Sequence, residues 1–429
     1  MLKLIAPALA LIFTPFAAIA QDVNPAEEVK APSAVETRAA DVLALIKGEQ
    51  KLQDVFAPVF LNAISPEQFT GLSNQVTAQF GQPLAVENLK PFGPHKAAFD
   101  IRFETGIGRI EMALSPAAPN RITELLIRRI DPIGDDLSKI TEELSALPGE
   151  VSVYFGPLDG TDPVIAINTD RQMAIGSTFK LYVLSALARK IAAGDAKWDD
   201  TLPLTRPSFP SGMTQEWPQG SPLTLQSHAA LMISISDNTT TDSLVDFLGQ
   251  EFLAKEVRDS GHSQPNLNAP FLTTRQMFTL KTLEDEQLEM YRKLSVPKKQ
   301  FLVQELAARD IEQDDVEKAF ANGPHALDIE WFASAQDIRK LLAHMPKGGD
   351  DTSLEIMAIN PSAPDTFFAA FPSIYYKGGS EPGVLNFTWL LKDKQSEWQV
   401  LTMSWNNPDA VLEEQRFELL AQRIFATAQ

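Results

Sequence analysis

The chain has 429 residues, 44% of them hydrophobic and 22% charged, with 30 prolines, 22 glycines and no cysteine. Its formal charge of −19 disfavours binding to phosphate backbones and to anionic membrane surfaces. The missing thiols exclude disulfides, cysteine nucleophiles, iron–sulfur clusters and thiolate zinc sites, and the length allows two or three domains.

Residues 1–20 (MLKLIAPALALIFTPFAAIA) set Lys3 before an apolar run and end on Ala18-Ile19-Ala20, the pattern of a cleaved secretory signal peptide. Export to the periplasm or the medium is therefore expected, with no membrane span left after cleavage. Residues 21–34 read as a polar linker. Apolar periodicity then predicts helices over about 35–47, 50–62 and 66–80, the last opening with a cap and a first-turn proline at Ser65-Pro66-Glu67-Gln68. Alternation of period two predicts antiparallel strands over His95–Glu104, Ile107–Ser115 and Asn120–Ile130. Residues 35–135 thus form an α+β domain. Phe56, Phe60, Phe69, Phe80, Phe99 and Phe103 either line a pocket there or form its core, and core is the expectation.

The second domain, 136–429, opens with a helix around 135–147 and a hairpin from Val151–Phe155 to Val164–Asn168 about Asp159-Gly160. Mainly helical sequence follows from 176 to about 345. Three strands come late, Ser373–Ser380, Val384–Lys392 and Trp398–Trp405, and Asn407-Pro408-Asp409 precedes a closing amphipathic helix. Strands at both ends of a helical insertion imply one five-stranded antiparallel sheet built from the two chain ends. No internal repeat is visible.

Chemistry concentrates in Gly176-Ser177-Thr178-Phe179-Lys180-Leu181, the start of an apolar helix. Positions i and i+3 share a helix face, so Ser177 and Lys180 can meet. A buried lysine close to another cation loses its proton near neutrality and can then activate a serine. The Ser-x-x-Lys pattern recurs at Ser295-Val296-Pro297-Lys298, where proline and lysine-rich surroundings indicate a surface copy. Only the first copy has company: Ser236-Asp237-Asn238 follows 59 residues later and Lys377-Gly378-Gly379-Ser380 lies on a late strand.

These three ordered motifs resemble those of the class A β-lactamases and related penicillin-binding enzymes, over about 137–429. The resemblance implies a β-lactamase-type α/β fold and an acyl-Ser177 intermediate. Lys180 would be the base, Ser236 a proton relay, and Asn238 a partner of the substrate's amide. Lys377 would attract a substrate carboxylate and hold down the pKa of Lys180. The backbone N–H groups of Ser177 and Ser380 would form the oxyanion hole. Asp237 is expected to bond loop backbone, and Gly379 to permit close approach of its strand.

Two departures modify this. Gly378 replaces the hydroxyl residue usual after the late lysine; Ser380 could substitute, whereas Glu381 on the same strand would repel an anion. The deacylating glutamate has no clear counterpart. The nearest match to Glu-x-x-Leu-Asn is Gln264-Pro265-Asn266-Leu267-Asn268, 28 residues after Ser236 rather than about 36. A carboxamide cannot take a proton from water, and a shortened loop without register to the glutamate fits equally well. Glu256, Asp259 and His262 lie nearby in sequence with no feature to promote them. A charged, helix-rich surplus over Thr282–Met345 either reshapes the site's mouth or forms a solvated cap.

With an α+β domain in front, the combination is similar to the two-domain β-lactamase-like esterases of clavulanic acid biosynthesis. In that group the N-terminal domain resembles steroid isomerase and nuclear transport factor 2. Ile329-Glu330-Trp331-Phe332-Ala333-Ser334 and Pro270–Thr274 look alike as well. The expected protein is an exported, monomeric serine hydrolase of β-lactams or related small esters and amides, with no cofactor. The alternative is a penicillin-binding sensor or D-alanyl carboxypeptidase with slow deacylation. The five histidines are dispersed, without metal-ligand spacing.

Overall fold

The computed structural model describes residues 32–134, 136–306, 309–345, 350–363, 367–368 and 370–427. The expected signal peptide and most of the linker lie outside the described residues. Two compact units divide between Ile133 and Gly134.

The first unit carries helices α1 (Ala34–Ile46), α2 (Leu52–Val55), α3 (Pro58–Ala63) and α4 (Pro66–Phe80). The single helix expected over 50–62 is therefore two, because Pro58 cannot donate to the preceding turn and starts a new helix instead. Ser33 and Ser65 cap α1 and α4 with reciprocal side-chain bonds to Glu36 and Gln68. Four antiparallel strands follow in the order β1 (Pro83–Pro91), β2 (Lys96–Phe103), β3 (Gly106–Leu114) and β4 (Ile122–Pro132).

Sequence alternation missed β1. Prolines bound it, and its pairing with β2 slips between Glu87 and Lys90, where Asn88 adopts φ +52°. An irregular edge strand loses the period-two pattern by which strands are recognised. The six phenylalanines are buried core. Phe56 stacks on Phe60 at 4.0 Å and meets Phe69 at 5.4 Å, while Phe80 packs on Phe103. The opposite face of the sheet carries ion pairs, Glu87 with Arg102, and Arg109 with both Asp100 and Asp131.

The second unit is built on a five-stranded antiparallel sheet in the order β11-β12-β13-β5-β6. β5 (Glu150–Pro157) and β6 (Ile165–Ile167) come from the start of the unit. β11 (Ser373–Glu381), β12 (Val384–Lys392) and β13 (Trp398–Asn406) come from its end. Short pairs join β7 (Met173–Ala174) to β10 (Phe332–Ala333), and β8 (Thr201–Pro203) to β9 (Pro222–Thr224).

One face of the large sheet packs on α5 (Leu137–Ser145) and the closing helix α16 (Glu414–Thr427), through Val153, Phe155, Trp389, Leu401, Phe417 and Leu420. Against the other face lies the helical block. Its centre is α6 (Lys180–Ala192), in which every residue from Lys180 to Ala188 is buried. Around it lie α7 (Leu225–Ser234), α8 (Asn238–Leu248), α9 (Gln250–Asp259) and α10 (Thr274–Lys281).

The surplus segment forms α11 (Asp285–Arg292), α12 (Val296–Leu306) and α13 (Gln313–Ala319). Leu288, Tyr291, Val303, Leu306 and Val316 join the same core as α6, so these helices are packed rather than loosely appended. The chance Ser-x-x-Lys copy sits exposed at the head of α12. Helices α14 (Ala335–His344) and α15 (Thr352–Ala358) complete the block.

Candidate active site

Ser177 lies on a single 3-10 turn, Gly176–Phe179, that runs directly into α6. Gly176 sits at φ +48°, a conformation that favours glycine, and a Cβ there would lie 3.1 Å from the Ser380 amide nitrogen. The turn is pinned from both sides. Behind Ser177, Ile175 N–H donates to the Trp331 carbonyl (3.0 Å), and the Trp331 ring stacks on Phe179 at 3.6 Å and 7°. Beneath it, the Thr178 hydroxyl donates to Asn386 Oδ1 at 2.7 Å, and Asn386 Nδ2 donates to the Ser404 hydroxyl at 2.7 Å. Thr388 also donates to Asn386 Oδ1, at 2.9 Å. These residues form a buried polar patch on the inner face of the sheet, and the patch anchors the residue next to Ser177.

Ser236 occupies the corner between α7 and α8 with φ +57°. That is a strained backbone for serine, costing on the order of 1–2 kcal/mol. The corner is held by Asp237, a fully buried carboxylate that caps α8 through Thr240 N–H (2.9 Å). It also accepts from Met213 N–H, Thr214 N–H and the Thr214 hydroxyl at 2.7–2.9 Å. Burial opposes its charge, but these bonds outweigh burial and hold its pKa below the ordinary value. Asp237 is thus a backbone anchor, and it aims the Ser236 carbonyl and hydroxyl inward.

Lys180 reaches that corner. Its Nζ lies 2.7 Å from the Ser236 carbonyl, 3.0 Å from the Ser236 hydroxyl and 2.8 Å from Asn238 Oδ1; the ammonium can donate to all three, the neutral amine to two. Lys377, buried on β11, donates to the same hydroxyl at 3.1 Å and to the Gly378 carbonyl at 2.5 Å. Burial drives the Lys180 pKa well below the lysine range, the Lys377 charge lowers it further, and Asp242 and Asp237 oppose this without prevailing. Burial also lowers Lys377, from 10.5 to about 7. Two amines with lowered pKa values meet one hydroxyl here, an arrangement chemically able to move protons: an amine in its neutral form accepts one and a hydroxyl passes one on.

Alternation along β11 turns Lys377, Gly379 and Glu381 to the helical-block side. A Cβ on Gly379 would lie 2.2 Å from the Ile175 carbonyl and 2.5 Å from the Ser177 nitrogen, so only glycine lets the strand lie against the turn. Ser380 follows, its nitrogen beside Gly176 and its side chain exposed. Asn238 uses its amide inside the protein. Nδ2 donates to the Phe209 carbonyl at 3.1 Å while Oδ1 accepts from Lys180, which leaves the second Nδ2 hydrogen for a substrate amide oxygen.

Gly378 has a physical reason: a Cβ there would lie 2.1 Å from the Tyr376 hydroxyl oxygen. The hydroxyl usual at this position in the resembled enzymes has no room. Gly378→Thr should therefore destabilise the fold by about 1–3 kcal/mol through overpacking. In a Tyr376→Ala background the added penalty should nearly vanish. Thermal unfolding of the four proteins in this cycle checks it, and an equal penalty in both backgrounds would contradict the packing argument.

Other expectations change. Glu381 does not face a substrate anion, because its side chain is buried and bonds Lys281 Nζ at 2.5 Å. Gln264 is exposed, and its neighbour Asn268 instead joins the Phe332 backbone (2.8 and 2.9 Å). Glu256 is buried among Ser185, Arg189 and His344, where it ties α6 to α9 and α14. The buried cluster of Lys281, Glu330 and Glu381 and the Asn386 anchor were not foreseen. For Asn386 a signal existed, since Asn386 and Thr388 alternate within the apolar run Val384–Leu391.

A model of the beta-lactamase enzyme family matches residues 137–352. Among solved structures the chain is similar to PBP-A, with 18% identity, 68% of this chain and 94% of that chain covered, and a TM-score of 0.45. A β-lactamase from Chitinophaga pinensis gives 15% identity, 68% and 98% coverage, and a TM-score of 0.47. One from Sphaerobacter thermophilus gives 19%, 68% and 96%, and 0.46. No curated protein matches the chain.

Proposed function

Because this chain belongs to the beta-lactamase enzyme family, we propose that it is an exported, monomeric serine hydrolase that forms an acyl-Ser177 intermediate with β-lactams or related small esters and amides. The observation that carries this reading is the convergence of Lys180 and Lys377 on the Ser236 hydroxyl beside the Ser177 turn. Neutral Lys180 takes the proton from the Ser177 hydroxyl as its oxygen bonds to the substrate carbonyl carbon. The oxygen left negative is stabilised by the Ser177 and Ser380 N–H groups. When the carbon–nitrogen or carbon–oxygen bond breaks, Ser236 gives its proton to the leaving atom and recovers one from Lys180. Water then cleaves the ester. Lys377, when charged, draws a substrate carboxylate to the site.

The narrower part of the reading is an esterase-like activity resembling that of the two-domain enzymes of clavulanic acid biosynthesis, with an isomerase-like, non-catalytic first domain. One observation favours a second reading, a slow-deacylating sensor or D-alanyl carboxypeptidase. The hydrogen-bond partners of Lys180 are Ser236 and Asn238, and no carboxylate among the described residues bonds it to activate a water.

The test follows the mature protein with an acetoxy-bearing chromogenic cephalosporin, recording product and intact mass together. More than one equivalent of product with a transient adduct on Ser177, lost in Ser177→Ala, supports the hydrolase. A single stoichiometric burst with a lasting Ser177 adduct supports the sensor, release of D-alanine from a pentapeptide the carboxypeptidase, and an adduct that survives Ser177→Ala overturns all three.

A further inference from the structure

Three charged side chains are buried together beside the nucleophile turn. Lys281, the last residue of α10, has its ammonium 2.5 Å from Glu381 Oε1 and 3.4 Å from Glu330 Oε1, with all three side chains at most 4% exposed. Glu330 Oε2 accepts from Trp331 N–H at 3.1 Å. Phe320, just past α13, places its ring 5.6 Å from the Lys281 ammonium. Burial and Glu330 push the Glu381 carboxyl well above the carboxylate range, while both acids keep Lys281 charged against burial. Such a group adds little stability, since an apolar set of the same volume would serve as well or better. What it supplies is direction.

The two ends of the cluster are the two walls of the candidate oxyanion hole. Glu381 is one residue beyond Ser380, on the strand whose Gly379 lies against the Ser177 nitrogen. Glu330 fixes Trp331, whose carbonyl holds Ile175 and whose ring stacks on Phe179. We propose that Lys281, clamped between Glu330 and Glu381, is a positioning residue that sets the separation of the Ser177 and Ser380 amides. This rests on those amides being the oxyanion hole of the reaction proposed above. A tie between the walls fixes the geometry that the transition state needs without touching substrate.

The test uses Lys281→Met in the full chain, with rates corrected for the folded fraction. Acylation by the chromogenic cephalosporin should slow about 10- to 100-fold in kcat, with KM within about 3-fold, because loss of one aligned oxyanion donor costs on the order of 100-fold. Inhibition by an arylboronic acid, whose tetrahedral adduct places an oxygen in the same hole, should weaken by a similar factor. The triple variant Lys281→Met, Glu330→Gln, Glu381→Gln leaves no charged group in the cluster and should regain stability without regaining rate. Recovery of rate together with stability, or a Lys281→Met rate within 2-fold of the parent, overturns the proposal. If Lys281→Met does not fold, Glu381→Leu, which removes the acceptor of Lys281 at the strand end and leaves Lys281 paired with Glu330, carries the same comparison.

Failure of the parent itself to acylate would refute the hydrolase reading and is visible before any variant is made. Amide hydrogen exchange then decides the clamp by itself. Faster exchange in both 175–179 and 377–381 on removing Lys281 supports it, and unchanged exchange in either segment overturns it.

Discussion

Lys180→Met should slow acylation of Ser177 by about 100- to 10,000-fold, the usual contribution of a general base, and leave the fold intact. The prediction combines two opposing effects. The substitution removes a buried amine that three acceptors surround, the Ser236 carbonyl, the Ser236 hydroxyl and Asn238 Oδ1. The Ser236 hydroxyl keeps Lys377 as a donor, so two acceptors lose theirs, at about 1–3 kcal/mol each. Against this, an amine whose charged form is so disfavoured by burial and by Lys377 gives the folded state little to lose. Melting temperature should therefore change modestly while the rate collapses.

Two measurements test this prediction: burst kinetics with intact mass for acylation, and circular dichroism for the fold. Lys377 is the other amine at the Ser236 hydroxyl. Were acylation within 10-fold of the parent in Lys180→Met yet lost in Lys377→Met, the base would be Lys377 instead. Partial rescue of Lys180→Ala by a small primary amine, which fits the vacated space, would separate loss of basicity from loss of packing.

How much of this was legible in the sequence depended on distance along the chain. The Ser177–Lys180 spacing is local enough to be named from residue types alone, whereas the partners the structure gives Lys180 Nζ, Ser236 and Asn238, lie 56 and 58 positions away. The Asp237 cap is equally local, a side chain bonding backbone three residues on. The late strands were readable because β11, β12 and β13 are consecutive hairpins with unbroken register. What stayed hidden was long-range.

Thr178 meets Asn386 across 208 positions, and Lys281 meets Glu381 across 100. No periodicity encodes either pairing. Glu381 was misread for the same reason: an acid near an active-site motif looks like a repulsive surface group until the buried lysine opposite it is known. In the sequence Gly378 reads as a missing carboxylate-gripping hydroxyl, whereas the Tyr376 hydroxyl two residues earlier makes it a packing requirement. The Tyr376–Gly378 spacing could have suggested this, since alternate residues of a strand share a face.

Lys377→Met should make the protein more stable and less active, and both effects should depend on pH. Burial holds the Lys377 pKa at about 7 in the folded protein against 10.5 in an unfolded chain. Below pH 7 the group is charged in both states, so the folded protein bears the full cost of an ammonium in the interior. Between pH 7 and 10.5 the unfolded chain binds more protons at this group than the folded protein does, so its contribution to stability rises with pH. Lys377→Met lacks this dependence. It should therefore exceed the parent most at pH 6, by about 1–4 kcal/mol as for other buried charges replaced by apolar groups. The excess should shrink steadily towards pH 10.

Urea unfolding at pH 6, 8 and 10 measures this difference, and a variant less stable than the parent at pH 6 would mean that the Gly378 carbonyl and Ser236 hydroxyl more than offset the burial of the charge. In catalysis the parent should give a bell-shaped profile, rising as Lys180 loses its proton and falling near pH 7 as Lys377 loses the charge that attracts a carboxylate. Removing that charge also removes a repulsion that lowers Lys180. The rising limb of Lys377→Met should accordingly move to higher pH, and the falling limb near 7 should vanish. An acidic limb that stays in place would show that Lys180 and Lys377 do not sense each other across the Ser236 hydroxyl.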